Sequence, residues 1–227
     1  YNAATGVMTL TSVGATATDA QWSNALSATT FFSTSTTYGN RTISFATNDG
    51  TKSSVAATRT VDVLGPPQIT TDSGSTSFVA GDDTASTPVA IDSGLTVTDG
   101  ASSTLASATI AITGNFHAGE DVLSFTNDGA TMGNIVASYD ATTGVLTLTS
   151  AGATATLAQW QSALDSVTYT DTAITPNTAT RTVSFTVVDG GGTSSNTATR
   201  TITVTATDQT PIVTATGVPS LRRPSRS

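Results

Sequence analysis

The sequence predicts an all-β protein, a series of Greek-key β-sandwiches in tandem, each with one short helix. Three observations predict it. Thr and Ser number 51 and 27 of the 227 residues, and β-branched side chains suit a pleated surface while crowding a helix. Apolar and hydroxyl residues alternate in short runs bounded by turn residues, the pattern of half-buried antiparallel strands. The chain also repeats itself with a period of about 140 residues, and a period of that kind decides the architecture before any single element does.

The repeat sets the expected organisation. Tyr1 to Leu26 (YNAATGVMTLTSVGATATDAQWSNAL) aligns without a gap with Tyr139 to Leu164 (YDATTGVLTLTSAGATATLAQWQSAL). After a short slip, RTISFATNDG from Arg41 matches RTVSFTVVDG from Arg181, and ATRTVDV from Ala57 matches ATRTITV from Ala198. Residues 1–63 are expected to form the C-terminal half of one repeat and residues 64–207 a complete one. Residues 208–219 open a next repeat, and 220–227 (SLRRPSRS) read as a foreign or frameshifted tail. Pro66 and Pro67 restrict the joint between the first two.

Within the complete repeat, alternation predicts strands over 88–98, 104–113, 121–126, 134–139, 182–188 and 201–205. Asp140–Gly144 and Asp189–Gly192 are the turn candidates, with glycine supplying the positive φ. One segment departs from period two. Thr156-Leu-Ala-Gln159 is a capping box, after which Leu157, Trp160 and Leu164 share a helical face. The same device stands at Thr18–Gln21 with Trp22 and Leu26. A helix of about two turns with its tryptophan buried is expected in both copies.

Composition also excludes chemistries. Without Cys there is no disulfide, thiolate nucleophile or Cys-based zinc site. One His and one Glu exclude a His-rich metal centre and a glutamate pair. Three of the eight basic residues lie in the last seven positions, and without them five basic residues face sixteen acidic ones, a net −11. Such a field repels a phosphate backbone, so no nucleic-acid partner is expected. No run of 18 apolar residues exists, so no membrane span is expected either.

The sharper site candidates are few. Glu120 and Asp121 form a tight acidic pair beside His117. A hydrolase would use Glu120 as general acid with Asp121 or a distant Asp. Neighbours on a strand point to opposite faces, however, so the pair does not flank one bond, and a structural acidic turn is favoured. His117 has no G-x-S-x-G nucleophile to serve. Trp22 and Trp160 are core residues rather than sugar platforms. Phe31, Phe32 and Tyr38, where the copies diverge, are the better exposed aromatic patch. Arg41 with Arg181, and Arg59 with Arg200, recur on strand patterns and are expected to be ion-paired or stacked.

The runs ITGNFHAGEDVLSF, YDATTGVLTLTS, TLAQWQSALDSVTYT and RTVSFTVVDGGGTSSNTATRTITVT resemble the cadherin-like, immunoglobulin-fold repeats of very large bacterial surface proteins, the RTX-type adhesins and biofilm proteins. The resemblance covers residues 1 to about 213. It implies an extracellular, cell-surface spacer or adhesion module whose partners are neighbouring repeats and a surface or polysaccharide ligand. It also implies Ca2+ within or between repeats, here at most one weak site near Asp83, Asp99 and Asp208, because the family's joint and Asp-x-Asp acids are thinned to Asp208-Gln-Thr-Pro211 and Asp99-Gly-Ala-Ser102. The alternative expectation is a carbohydrate-active module, either a polysaccharide binder or a glycoside hydrolase using Glu120 and an Asp. A half repeat at 1–63 presents unpaired strand edges, which recruit partners. It is expected to pack on the complete copy or to form a homodimer.

Overall fold

Alternating Thr and aliphatic residues produce paired strands, and short polar runs break them. The computed structural model describes residues 1–34, 37–211 and 213. The expected tail at 220–227, and residues 214–219 of the expected next repeat, lie outside them. The chain divides into two compact units, Tyr1–Gly65 and the unit that begins at Pro66.

The first unit holds α1 (Asp19–Ser27) and a hairpin of β1 (Gly39–Phe45) and β2 (Ala57–Val63). Thr18 accepts the Gln21 amide while the Gln21 side chain takes the Thr18 amide, completing the capping box. This helix buries no residue, and Trp22 is half-buried rather than sealed. In the second unit the corresponding tryptophan is roofed by a strand segment, described below, that has no counterpart among the described residues of the first.

The second unit contains β3 (Gln68–Thr70), β4 (Ser75–Val79), β5 (Val89–Ala90), β6 (Thr96–Thr98), β7 (Leu105–Gly114), β8 (Asp121–Ser124), β9 (Ile135–Asp140), β10 (Val145–Ser150), α2 (Leu157–Asp165), β11 (Thr168–Asp171), β12 (Arg181–Asp189) and β13 (Ala198–Thr205). Six strands form one sheet in the order β4-β13-β12-β7-β10-β9, antiparallel except for the β13–β4 pair. A second sheet runs β5-β11-β8, and β3 pairs with β6. The fold is therefore largely β-stranded with few short helices. Inward residues of the two larger sheets share one core, where Phe78 of β4 meets Tyr169 of β11 edge-on with ring centroids 5.2 Å apart.

Most of the expected strands form where alternation placed them, and one does not. Residues 88–98 split into β5 and β6 because Asp92 turns the chain between them, its carboxylate accepting the amides of Asp72 and Gly94. The Asp140–Gly144 turn forms with Gly144 at φ 70°, where a Cβ would stand 2.7 Å from the Phe116 ring, so only glycine fits. Helix α2 carries the second capping box and buries Trp160, Ala163 and Leu164. The Trp160 indole N–H donates to the Leu105 carbonyl at 3.0 Å, which satisfies the polar edge of an otherwise apolar ring.

The strand directions fix where the chain enters and leaves this unit. Ile69 of β3 exchanges both backbone bonds with the Asn196 side chain, just ahead of β13. The chain then runs alongside β13 in parallel, from Ser75 opposite Thr201 to Val79 opposite Thr205. Entry lies at the start of β13 and exit at its end, roughly 25 Å away at about 3.3 Å for each of eight residues.

Candidate functional site

Arg181 organises the polar interior. It sits first on β12 with its inward-pointing side chain fully buried, and it meets two carboxylates from the facing sheet. Its Nε donates to Asp121 Oδ2 at 2.9 Å and Oδ1 at 3.1 Å, and one terminal nitrogen reaches Asp171 at 3.3 Å. The other terminal nitrogen donates to the carbonyls of Asn177 and Ala179. Tyr169 donates to Asp121 Oδ1 at 2.6 Å, and the His117 amide donates to Oδ2 at 2.7 Å. A charge removed from water this completely stays charged only when paired and hydrogen-bonded, as Arg181 is.

The electrostatics follow from that crowding. Burial pushes the Asp171 carboxyl above the usual range, helped by the negative charge of Asp121 and opposed by the Ala173 amide and the Arg181 cation. Burial also drives the Tyr169 hydroxyl up, and its hydrogen bond to Asp121 adds to the effect. Desolvation alone pulls Arg181 down, but the hydrogen bond to Asp121 and the surrounding charges hold it above its ordinary value. Two carboxylates around one guanidinium leave this interior one negative charge in excess.

The residues singled out from sequence are distributed as follows. Asp121 is buried, and both of its oxygens are committed to Arg181, Tyr169 and the His117 amide. Glu120 and His117 are half-exposed on the turn that leads into β8, with Glu120 Oε2 3.9 Å from His117 Nδ1. The amides of Glu120 and Asp121 both donate to the His117 carbonyl, which makes this stretch a loop-to-strand turn. Sequence reasoning missed Asp171 and Tyr169, and the recurring arginine was the one signal pointing to them. Arg200 departs from the expected ion pair: it donates to the carbonyls of Asp72 and Ser73 and to Thr76.

The three aspartates that the resemblance nominates for Ca2+ do not come together. Asp83 and Asp208 stand at the exit, where loop 81–83 fastens the outgoing chain. The Asp83 amide donates to the Gln209 side chain at 2.7 Å, and the Asp82 carboxylate accepts the amide and hydroxyl of Thr210. Asp99 follows β6, whose Thr98 pairs with Gln68, and so lies at the opposite, entry end. One Asp99 oxygen accepts the Ala101 amide, and the other is buried with no hydrogen-bond partner among the described residues. Among the described residues, no three His, Cys, Asp or Glu side chains gather closely enough to hold a metal ion.

The entry is fastened as well. The Gln68 side chain donates back to the carbonyls of Pro66 and Pro67. Gly65 is required beside them, because a Cβ there would stand 2.7 Å from the Tyr38 ring. The expected aromatic patch is exposed, Phe32 most of all at 85%. Among the described residues, no helix is long and apolar enough to cross a membrane.

No family model matches the chain. Over 135 residues it is 40% identical to halomucin of Haloquadratum walsbyi, a match that takes in 58% of the chain and 1% of halomucin. Among solved structures, the seventh ScaB type I cohesin from Pseudobacteroides cellulosolvens aligns over 66% of the chain and 98% of its own, at 12% identity and a TM-score of 0.33. The chain is thus similar to a short stretch of one very long protein, and spans only about a hundredth of it.

Proposed function

We propose that this chain is a spacer and interaction module of a secreted or surface-anchored extracellular protein, built from Greek-key sandwiches strung in tandem. The observation that carries this reading is the placement of the chain ends in the second unit. Entry and exit lie at opposite ends of β13, and side-chain hydrogen bonds fasten both. A module with that geometry adds length when repeated, whereas one with adjacent ends adds only bulk. Similarity to about one hundredth of a long relative suits a unit that recurs within a long chain. Arg181 and its carboxylates then serve the interior of each strut rather than a reaction.

Small-angle X-ray scattering on proteins carrying one, two and three copies of residues 66–211 tests the reading. The maximum dimension is expected to grow by a constant increment per copy. Growth as the cube root of mass would end it.

A further inference from the structure

Of the nine asparagines in the chain, only Asn40 has a hydroxyl residue two places on, in Asn40-Arg41-Thr42. Asn-x-Ser/Thr, with any residue but proline between, is the acceptor motif for N-linked glycans on the surfaces of secreted proteins. It is usable only where the asparagine side chain reaches solvent, which the fold decides.

The fold sorts the three residues by face. Gly39, at φ 112°, turns the chain into β1, after which Asn40 and Thr42 point to one side of the strand and Arg41 to the other. Arg41 is half-buried and donates to the carbonyls of Thr37, Gly39 and Asn40, so the middle residue is anchored. Asn40 and Thr42 are exposed, as are Asp62 and Thr60 opposite them on β2. The Asn40 amide is also uncommitted. The side-chain amides of Asn48, Asn115, Asn127, Asn134 and Asn196 each donate to an oxygen, whereas that of Asn40 donates to no group among the described residues.

The second unit shows that this exposure belongs to the position. Thr180 precedes Arg181 as Asn40 precedes Arg41, and Arg181 donates to the Ala179 carbonyl as Arg41 does to that of Gly39. There β12 lies between β13 and β7, and Arg181 is fully buried, yet Thr180 is exposed. Pairing the strand on both edges does not cover the residue ahead of the arginine.

We propose that Asn40 carries an N-linked glycan, transferred from a lipid-phosphate-linked oligosaccharide by a membrane-bound transferase. Asn40 Nδ2 forms a bond to the anomeric carbon of the first sugar while the bond from that carbon to the phosphate oxygen breaks. The amide gives up one proton, and the lipid phosphate leaves with the electron pair of the broken bond. Nothing is oxidised or reduced. Thr42, exposed on the same face, supplies the hydroxyl that the motif requires, and modification of an uncommitted amide breaks no hydrogen bond of the fold. The assignment rests on the extracellular placement proposed above, because the motif is read on exported chains.

The test isolates the full chain from fractionated source cells, digests it with trypsin, and weighs and fragments the peptide that contains Asn40. The chain is expected outside the cell, with fragment masses that place the sugar on Asn40. Thr42→Ala is expected to lose the modification altogether, and Thr42→Ser, which restores the hydroxyl, to keep it. An exported chain with a bare Asn40 overturns the proposal and leaves the extracellular reading standing, whereas a chain retained inside the cell with a bare Asn40 overturns both. Sugar that persists on this peptide after Asn40→Gln or Thr42→Ala also overturns it, by assigning the glycan to a serine or threonine hydroxyl.

Discussion

At the level of single residues, the buried trio of Arg181, Asp121 and Asp171 makes unequal demands. Asp121 takes the guanidinium Nε through both oxygens and also serves Tyr169 and the His117 amide, so removing it strands several donors. Asp121→Ala or Arg181→Met is expected to cost about 3–5 kcal/mol, the range for breaking one side of a buried pair, read from urea midpoints at neutral pH. Asp171 is different, because burial disfavours its charged form. Its folded-state pKa lies above the unfolded value near 3.8, so the native state holds the extra proton. The resulting stability is complete below about 3.8 and is lost as pH rises through the folded value. Asp171→Asn is expected to cost far less than Asp121→Ala and to remove that part of the pH dependence. Stability curves of the two proteins across the acid range check it. None of this pairing was legible locally: Asp121 lies sixty residues before Arg181, and the alternating pattern marks both merely as inward positions.

Elements were easier to read wherever their chemistry is local. Both capping boxes formed as spelled, because the cap and its reciprocal partner lie three residues apart. The Asp140–Gly144 turn formed for the same reason. The break between β5 and β6 stayed hidden, since Asp92 is held by the amide of Asp72 twenty residues earlier. Burial of the tryptophans was half legible. The sequence places both on an apolar helical face, but only a strand such as β7, distant in sequence, covers that face. The helices therefore differ in what they risk. Thr156→Ala is expected to destabilise the second unit by about 1 kcal/mol through loss of the cap. Trp160→Ala is expected to cost about 3–5 kcal/mol. Trp22→Ala, on a half-buried ring, should cost much less. Thermal denaturation of the three variants gives the order.

For the whole molecule, two compact units predict two separable stabilities. The second has a continuous apolar core, and a protein of residues 66–211 alone is expected to melt where the second unit melts in the full chain. Calorimetry on both proteins checks it, and a large drop in the isolated unit would show that its core depends on residues 1–65. Because the three nominated aspartates lie at opposite ends of β13, millimolar Ca2+ or EDTA is expected to leave that melting temperature unchanged. The repetition from Tyr1 and from Tyr139 is a property of the sequence itself and needs no knowledge of contacts. The fastening of the exit was not, since loop 81–83 and Gln209–Thr210 meet across more than 120 intervening residues.

The parallel run of β4 beside β13 bears on mechanics. A pull on Pro66 and Thr210 draws these two strands in opposite senses along their common axis, so the hydrogen bonds from Ser75 opposite Thr201 to Val79 opposite Thr205 are loaded in shear. Bonds loaded that way yield together, whereas a ladder peeled from one end yields one rung at a time. A tether built from this unit resists stretching through the strand that carries the chain in and the strand that carries it out.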